Sequence, residues 1–181
     1  AYAAAGVDIE AKMGAFQKMK ATVQSTYTPA VLDGIGAFGG SISAAVLAQG
    51  RDLVLVASTD GVGTKTMIAA QMGVYHTVGH DIVNHCINDV LVQGARPLFF
   101  LDYVASSKLD PDVIVQIVGG CAAACRASGC VLIGGETAEM PGVYHPGSFD
   151  LVGTLVGWVD RNAILTGADV RPGDVCLGLP S

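Results

Sequence analysis

LVLVASTDGVGTK, residues 53–65, is the stretch on which the fold turns. Leu53 to Ala57 is a continuous apolar run of strand length, and Ser58 to Lys65 is a turn with polar chemistry. Lys65 to Met72 meets no breaker until Gly73 and reads as a helix. A buried strand, a short loop and a helix in that order predict a sheet with helices packed on it. The loop from Thr59 to Lys65 also carries candidate chemistry. Asp60 offers a hard oxygen to a divalent cation. Gly61 and Gly63 allow backbone N–H groups to approach phosphate oxygens, the following helix points its positive end there, and Lys65 adds a charge. The pattern is not a Walker A loop, because Thr59 and Thr64 stand where that motif needs glycine. A capped helix after a structural Asp turn is the alternative reading of the same residues.

Outward from this stretch, Asp8 to Thr26 reads as a helix with Asp8 as N-cap and Ile9, Met13, Phe16 and Met19 to Val23 near helical spacing. Residues 29–43 are Gly-rich and read as a loop. Gly34, Gly36 and Gly39 match G-x-G-x-x-G, but Pro29 and the lack of a preceding strand remove the dinucleotide-binding context. That segment is either a flexible loop or a cover for a nucleotide. Thr77 to Gln93 is a further helix, and Leu98 to Ala105 a strand. Asp110 and Pro111 open a helix as cap and first residue, ending at Gly129. Cys130 to Ile133 is a strand that breaks at Gly134-Gly135, Phe149 to Val159 a long strand, Arg171 to Asp174 a turn, and Val175 to Leu179 the opening of another strand. This order predicts an α+β (or α/β) fold. A chain that stops directly after an apolar strand is expected to be part of a longer protein.

Composition narrows the function. The 181 residues hold 16 acidic and 10 basic side chains, a net charge of −6. That balance argues against nucleic acid held by phosphate neutralisation and against anionic lipid. No apolar run reaches the ~18 residues of a membrane span and no leader is visible, so a cytoplasmic protein is expected. Only 14% of residues are charged, against ~25% in a typical domain, and mean hydropathy is +0.49. So few charges predict a homo-oligomer with an apolar interface, the alternative being a Gly/Ala-rich monomer. The five cysteines, Cys86, Cys121, Cys125, Cys130 and Cys176, show no ligand spacing and read as reduced thiols.

Three further groups stand out. Asp81, Asn84, His85, Asn88 and Asp89 fall close to one face of an otherwise apolar helix. They are either a solvated stripe or a metal-facing one, with Asn88 and Asp89 sharing a cation with Asp60 and His85 as a structural member. Glu136 and Glu139 follow a strand end, where carboxylates suit metal or general-base work. Asp102 lies inside an apolar strand and needs a partner: Lys65, Lys108 or a metal. His76, His80 and His145 read as surface or packing residues.

As a set, AGVDIEA, STDGVGTK, CINDVLVQGARPLFFLDY and GGETAEMPGVY resemble the phosphoribosylformylglycinamidine cyclo-ligase (aminoimidazole ribonucleotide synthetase) family, from Tyr2 to Ser181. The resemblance implies ATP-dependent closure of the imidazole ring of purines. ATP phosphorylates the formyl amide oxygen of formylglycinamidine ribonucleotide, the amidine nitrogen attacks, and phosphate leaves. It implies homodimers in which a mixed sheet contributes to a shared barrel, with ATP near the subunit junction. It also implies a Mg-ATP-binding and dimerisation domain over 1–167 and the start of a second domain over 168–181. Carried onto this sequence, Asp60 and Asp89 are expected as Mg²⁺ ligands, with Glu136 as a third. Thr64, Lys65 and the amides of Gly61 and Gly63 are expected as phosphate contacts, and Lys20 as a nucleotide or catalytic lysine. Asp102 matches the family's LDY aspartate. Ser107, Asn84, His85 and Arg96 depart from the family's pattern. The rival readings are a sister ATP-using synthetase or kinase, a dimerisation module without activity of its own, and, remotely, a zinc-binding module.

Overall fold

The computed structural model describes residues 9–35 and 40–178. The proposed cap Asp8, most of the G-x-G-x-x-G segment and Leu179 lie outside them. In chain order the elements are α1 (Ile9–Gln24), β1 (Val31–Asp33), β2 (Ser41–Ile42), α2 (Ala44–Ala48), β3 (Leu53–Gly61), α3 (Lys65–Met72), α4 (His76–Leu91), β4 (Arg96–Ser106), α5 (Pro111–Ser128), β5 (Val131–Glu139) and β6 (Phe149–Asp160). The main sheet has the order β3-β6-β4-β5. β6 runs antiparallel to both neighbours, and β4 runs parallel to β5. The fold is therefore α+β with a mixed sheet, as expected. The parallel pair needs a long crossover, which α5 supplies.

Strand β6 shows why the layers form. Its residues alternate without exception between buried and half-buried. Leu151, Leu155 and Val159 point to the side where Phe100, Ile82 and Ile117 are fully buried. α4 and α5 cover that side. They cross at two glycines: a Cβ on Gly79 would lie 2.2 Å from the Ile117 carbonyl oxygen, and one on Gly120 2.0 Å from that of His76. The helix backbones thus touch, which no larger residue permits. α5 begins as its sequence predicts, with the Asp110 carboxylate accepting from the Asp112 and Val113 amides at 3.0 and 3.3 Å.

The opposite side of the sheet is apolar too. By register Leu55, Val156 and Trp158 of β3 and β6, with Leu101 and Tyr103 of β4, share it. Leu55 is 66% exposed there. The guanidinium carbons of Arg51 and Arg96 stand 4.6 and 5.8 Å from the Trp158 ring centre. The run Leu53 to Ala57 reads as a strand buried on both faces, yet in the single chain only one face is covered.

Three boundaries differ from expectation. β3 extends through Asp60 to Gly61, which pairs with Val152. β5 does not break at Gly134-Gly135 but continues to Glu139, because Leu101 to Ser106 of β4 pair with it throughout. Two glycines are weaker than a ladder of backbone hydrogen bonds. Residues 175–178 form no strand, although the Arg171–Asp174 turn is closed by a 3.1 Å bond. Val175 and Leu177 are 82% and 92% exposed. Among the described residues no strand lies alongside to pair their backbone, and an unpaired strand does not form.

Candidate functional site

Ser58 and Asp60 are two apart on β3, so both face α4. On α4 the spacing of four places Asp81, His85 and Asp89 in one row. The two rows meet. His85 Nε2 lies 2.8 Å from Asp60 Oδ2, and the Ser58 hydroxyl donates to Asp89 Oδ2 at 2.5 Å. One helical turn away, Lys65 Nζ lies 2.7 Å from Asp81 Oδ2. The remaining Asp60 oxygen accepts from the Gly61 amide at 2.7 Å. Beneath them Cys86 is fully buried, and its thiol is pushed up to about 11 by burial first and by Asp89 and Asp60 next. That thiol stays protonated at neutral pH.

The connection from β3 to α3 is shorter than the loop read from sequence, running over residues 62–64 alone. Gly63 has φ +72°, a conformation that other residues adopt at a cost. Thr64 caps α3 by position without a side-chain bond. The Gly61 amide, expected to face a phosphate, is held by Asp60 instead. A small cavity of about 60 Å³ lined by Gly61, Val62, Lys65, Asp81, Ile82 and His85 opens at this point. The Asp81 carboxylate, the Lys65 ammonium and the His85 imidazole line it, and Asp60 stands behind His85. Such a group can hold a polyanion through a cation and a lysine.

The structure divides the sequence-derived site residues into two places. Asp60, Gly61, Gly63, Thr64, Lys65 and Asp89 come together at the β3 edge. Glu136 is on β5, at the other edge of the sheet, beside Tyr103 in register. Lys20 is exposed on α1, which packs on α5 and β5. Within one chain, Glu136 therefore does not join Asp60 and Asp89, and among the described residues no three His, Cys, Asp or Glu groups form a ready cation cage. Asp102 pairs with neither Lys65 nor Lys108: among the described residues it takes part in no ion pair, and it lies at a cavity by Glu136. His85, Asp81 and Ser58 are the partners that the sequence under-reads. Their signal was the spacing of four on α4 combined with the alternation on β3.

Residues 42–159 match the family described as AIR synthase related protein, N-terminal domain. The chain is 52% identical over 180 residues to the phosphoribosylformylglycinamidine cyclo-ligase of Picosynechococcus sp., covering 99% of this chain and 52% of that protein. It is 53% identical, over the same shares, to the enzyme of that name from Alkaliphilus oremlandii. The chain thus spans about half the length of these curated relatives. Among solved structures, thiamine-monophosphate kinase of Stenotrophomonas maltophilia superposes with a TM-score of 0.62 at 20% identity, covering 81% of this chain and 43% of that one. The hydrogenase maturation protein HypE in complex with ATP gives 0.60 at 17%, covering 87% and 43%. At these identities the likeness is one of fold.

Proposed function

The chain belongs to the AIR synthase related family, and from that premise we propose that it is the N-terminal, ATP-handling half of a phosphoribosylformylglycinamidine cyclo-ligase. The reaction is closure of formylglycinamidine ribonucleotide to aminoimidazole ribonucleotide, with ATP converted to ADP and phosphate. The observation that carries this reading is 52% identity to a cyclo-ligase over 99% of the chain. The sister kinase and maturation proteins share only the fold, at 20% and 17% identity.

Phosphoryl transfer asks the protein for position and charge rather than covalent chemistry. In this reading Lys65 leaves Asp81 to meet the nucleotide's phosphates, and Asp81 holds the ammonium in place until then. Thr64 and the amide of Gly63 line the same anion, while the Gly61 amide stays with Asp60. Asp60 and Asp89 fit Mg²⁺: both are oxygen donors on facing elements, and His85 and Ser58 orient them. Mg²⁺ takes few protein ligands and keeps phosphate oxygens and waters, so the lack of a preformed cage suits it. Bound there, the ion neutralises charge on the transferring phosphoryl group. Glu136 and Lys20, on the β5 side, serve this site only if a second copy brings them to it.

A homodimer supplies that second copy. The uncovered apolar sheet face with Leu55, Val156, Trp158, Leu101 and Tyr103 supports a face-to-face pair. A cytoplasmic location follows from the activity proposed, and no helix among the described residues is long and apolar enough to cross a membrane.

The test is turnover by the full-length protein. Formylglycinamidine ribonucleotide and Mg-ATP should give ADP and the imidazole ribonucleotide in equal amounts. Release of ADP only with a different acceptor, and none with this nucleotide, overturns the assignment.

A further inference from the structure

α4 carries polar side chains on two flanks. Asp81, His85 and Asp89 form the row that meets β3 and α3. His76, His80 and Asn84, again four apart, form a second row that begins at the first residue of the helix. His76 and Asn84 are exposed, and His80 is half-buried. Among the described residues neither the His76 nor the His80 ring takes part in a hydrogen bond or ion pair. The His85 ring, by contrast, is engaged by Asp60 at 2.8 Å. Two imidazoles on one helix flank with nothing to bind are a feature that the cluster at β3 leaves unexplained.

The backbone beneath the two rings is fixed. α4 crosses α5 at this turn: a Cβ on Gly120 would lie 2.0 Å from the His76 carbonyl oxygen. A Cβ on Gly79, the residue before His80, would lie 2.2 Å from the Ile117 carbonyl oxygen. Neither histidine's backbone can shift without parting the helices. Residues four apart on a helix hold their Cβ atoms about 6 Å apart. Across that gap two imidazole nitrogens reach one ion, with metal–nitrogen bonds of ~2 Å. Paired zinc-binding histidines on a helix take this same spacing.

We propose that His76 and His80 form a chelating site for a divalent transition-metal ion of the Zn²⁺, Ni²⁺ and Cu²⁺ class, with water completing its coordination shell. Imidazole suits these ions, whereas Mg²⁺ demands oxygen ligands. The two rows of α4 thus select metals of different hardness. The site is open, since two side chains hold the ion and no third His, Cys, Asp or Glu among the described residues joins them. The positive end of α4 opposes a cation, but that end carries only about half a charge, and the two metal–nitrogen bonds outweigh it. The bound ion ties the first turn of α4 to itself at the crossing with α5. An ion held by the folded chain alone stabilises the fold.

The test uses Ni²⁺ as the probe of the full-length protein, with Mg²⁺ present in saturating amount. Paramagnetic Ni²⁺ should broaden the imidazole proton signals of His76 and His80 before those of His85 and His145. In calorimetric titration His76→Gln and His80→Gln should each lower Ni²⁺ affinity at least tenfold, because one ring alone cannot chelate. His145→Gln, at an exposed position away from α4 in sequence, should change it less than twofold. Far-ultraviolet circular dichroism shows that each variant is folded. If the half-buried His80→Gln is not, the exposed His76→Gln decides alone. Cu²⁺ should bind more tightly than Ni²⁺ through the same two residues. Ni²⁺ affinity that survives His76→Gln overturns the proposal, and so does broadening that starts at His85 or His145, a reading that needs no variant.

Discussion

Asp60 and Asp102 are both register partners of one residue, Gly153 of β6. The two aspartates therefore stand in the same row and on the same side of the sheet, two strand spacings apart, or about 10 Å. Their surroundings differ. Asp60 is at the open edge with His85 and the Gly61 amide for company. Asp102 is buried under α1 and α5, and among the described residues no side chain donates to it. One row thus carries a solvated carboxylate suited to a cation and a buried one whose proton is held tightly.

Asp60→Asn in the full-length protein should reduce ADP formation by about 10²-fold or more, the order seen when one electrostatic stabiliser of a transition state is lost. Steady-state assay at saturating Mg²⁺ checks it. A wild-type rate removes Asp60 from the mechanism.

His85→Ala should act through Asp60. Partners that orient a metal-binding carboxylate are worth ~10- to 100-fold in metal affinity. The Mg²⁺ concentration for half-maximal rate should rise by that order, while the rate at saturating Mg²⁺ changes little. A fall in the saturated rate alone contradicts a positioning role.

Stability should depend on pH through Asp102. Its folded value is raised from 3.8 to about 7, so the native state holds the proton that the unfolded chain has released between these values. Unfolding free energy therefore falls as pH rises from about 4 to 7 and is flat above. A shift of this size corresponds to about 4 kcal/mol. Urea unfolding across this range should show the slope in the wild type and a markedly smaller one in Asp102→Asn, which becomes the more stable protein at pH 8.

Gly120→Ala should destabilise the fold by roughly 1–3 kcal/mol, the range for inserting an atom into a close-packed contact. The new Cβ would meet the His76 carbonyl oxygen at 2.0 Å, forcing α4 and α5 apart. Urea midpoints at constant slope measure it.

Leu55→Lys should separate the proposed dimer. The side chain is 66% exposed in the single chain, so the substitution leaves the monomer's core intact. Light scattering should report half the wild-type mass, with unchanged far-ultraviolet circular dichroism. Retention of the dimer moves the interface elsewhere.

Much of this was legible in the residues. The α3 boundaries from Lys65 to Met72, and α5 with Asp110 as cap and Gly129 as stop, follow from local chemistry and match the structure. So does the buried reduced state of Cys86, Cys121, Cys125 and Cys130. The four-residue spacing on α4 marked a polar face, though not what it meets. The reason is that caps, turns and periodicity act within a few residues, so the chain itself determines them.

What only the tertiary structure decided depends on strands far apart in sequence. β5 runs through Gly134-Gly135 because β4 pairs with it, and residues 175–178 stay irregular because no described strand pairs with them. Glu136 parts from Asp60 because β6 and β4 come between their strands, and among the described residues Asp102 forms no ion pair. Hydrogen-bonded pairing and burial set these outcomes, and both are properties of neighbours in space that no local pattern encodes.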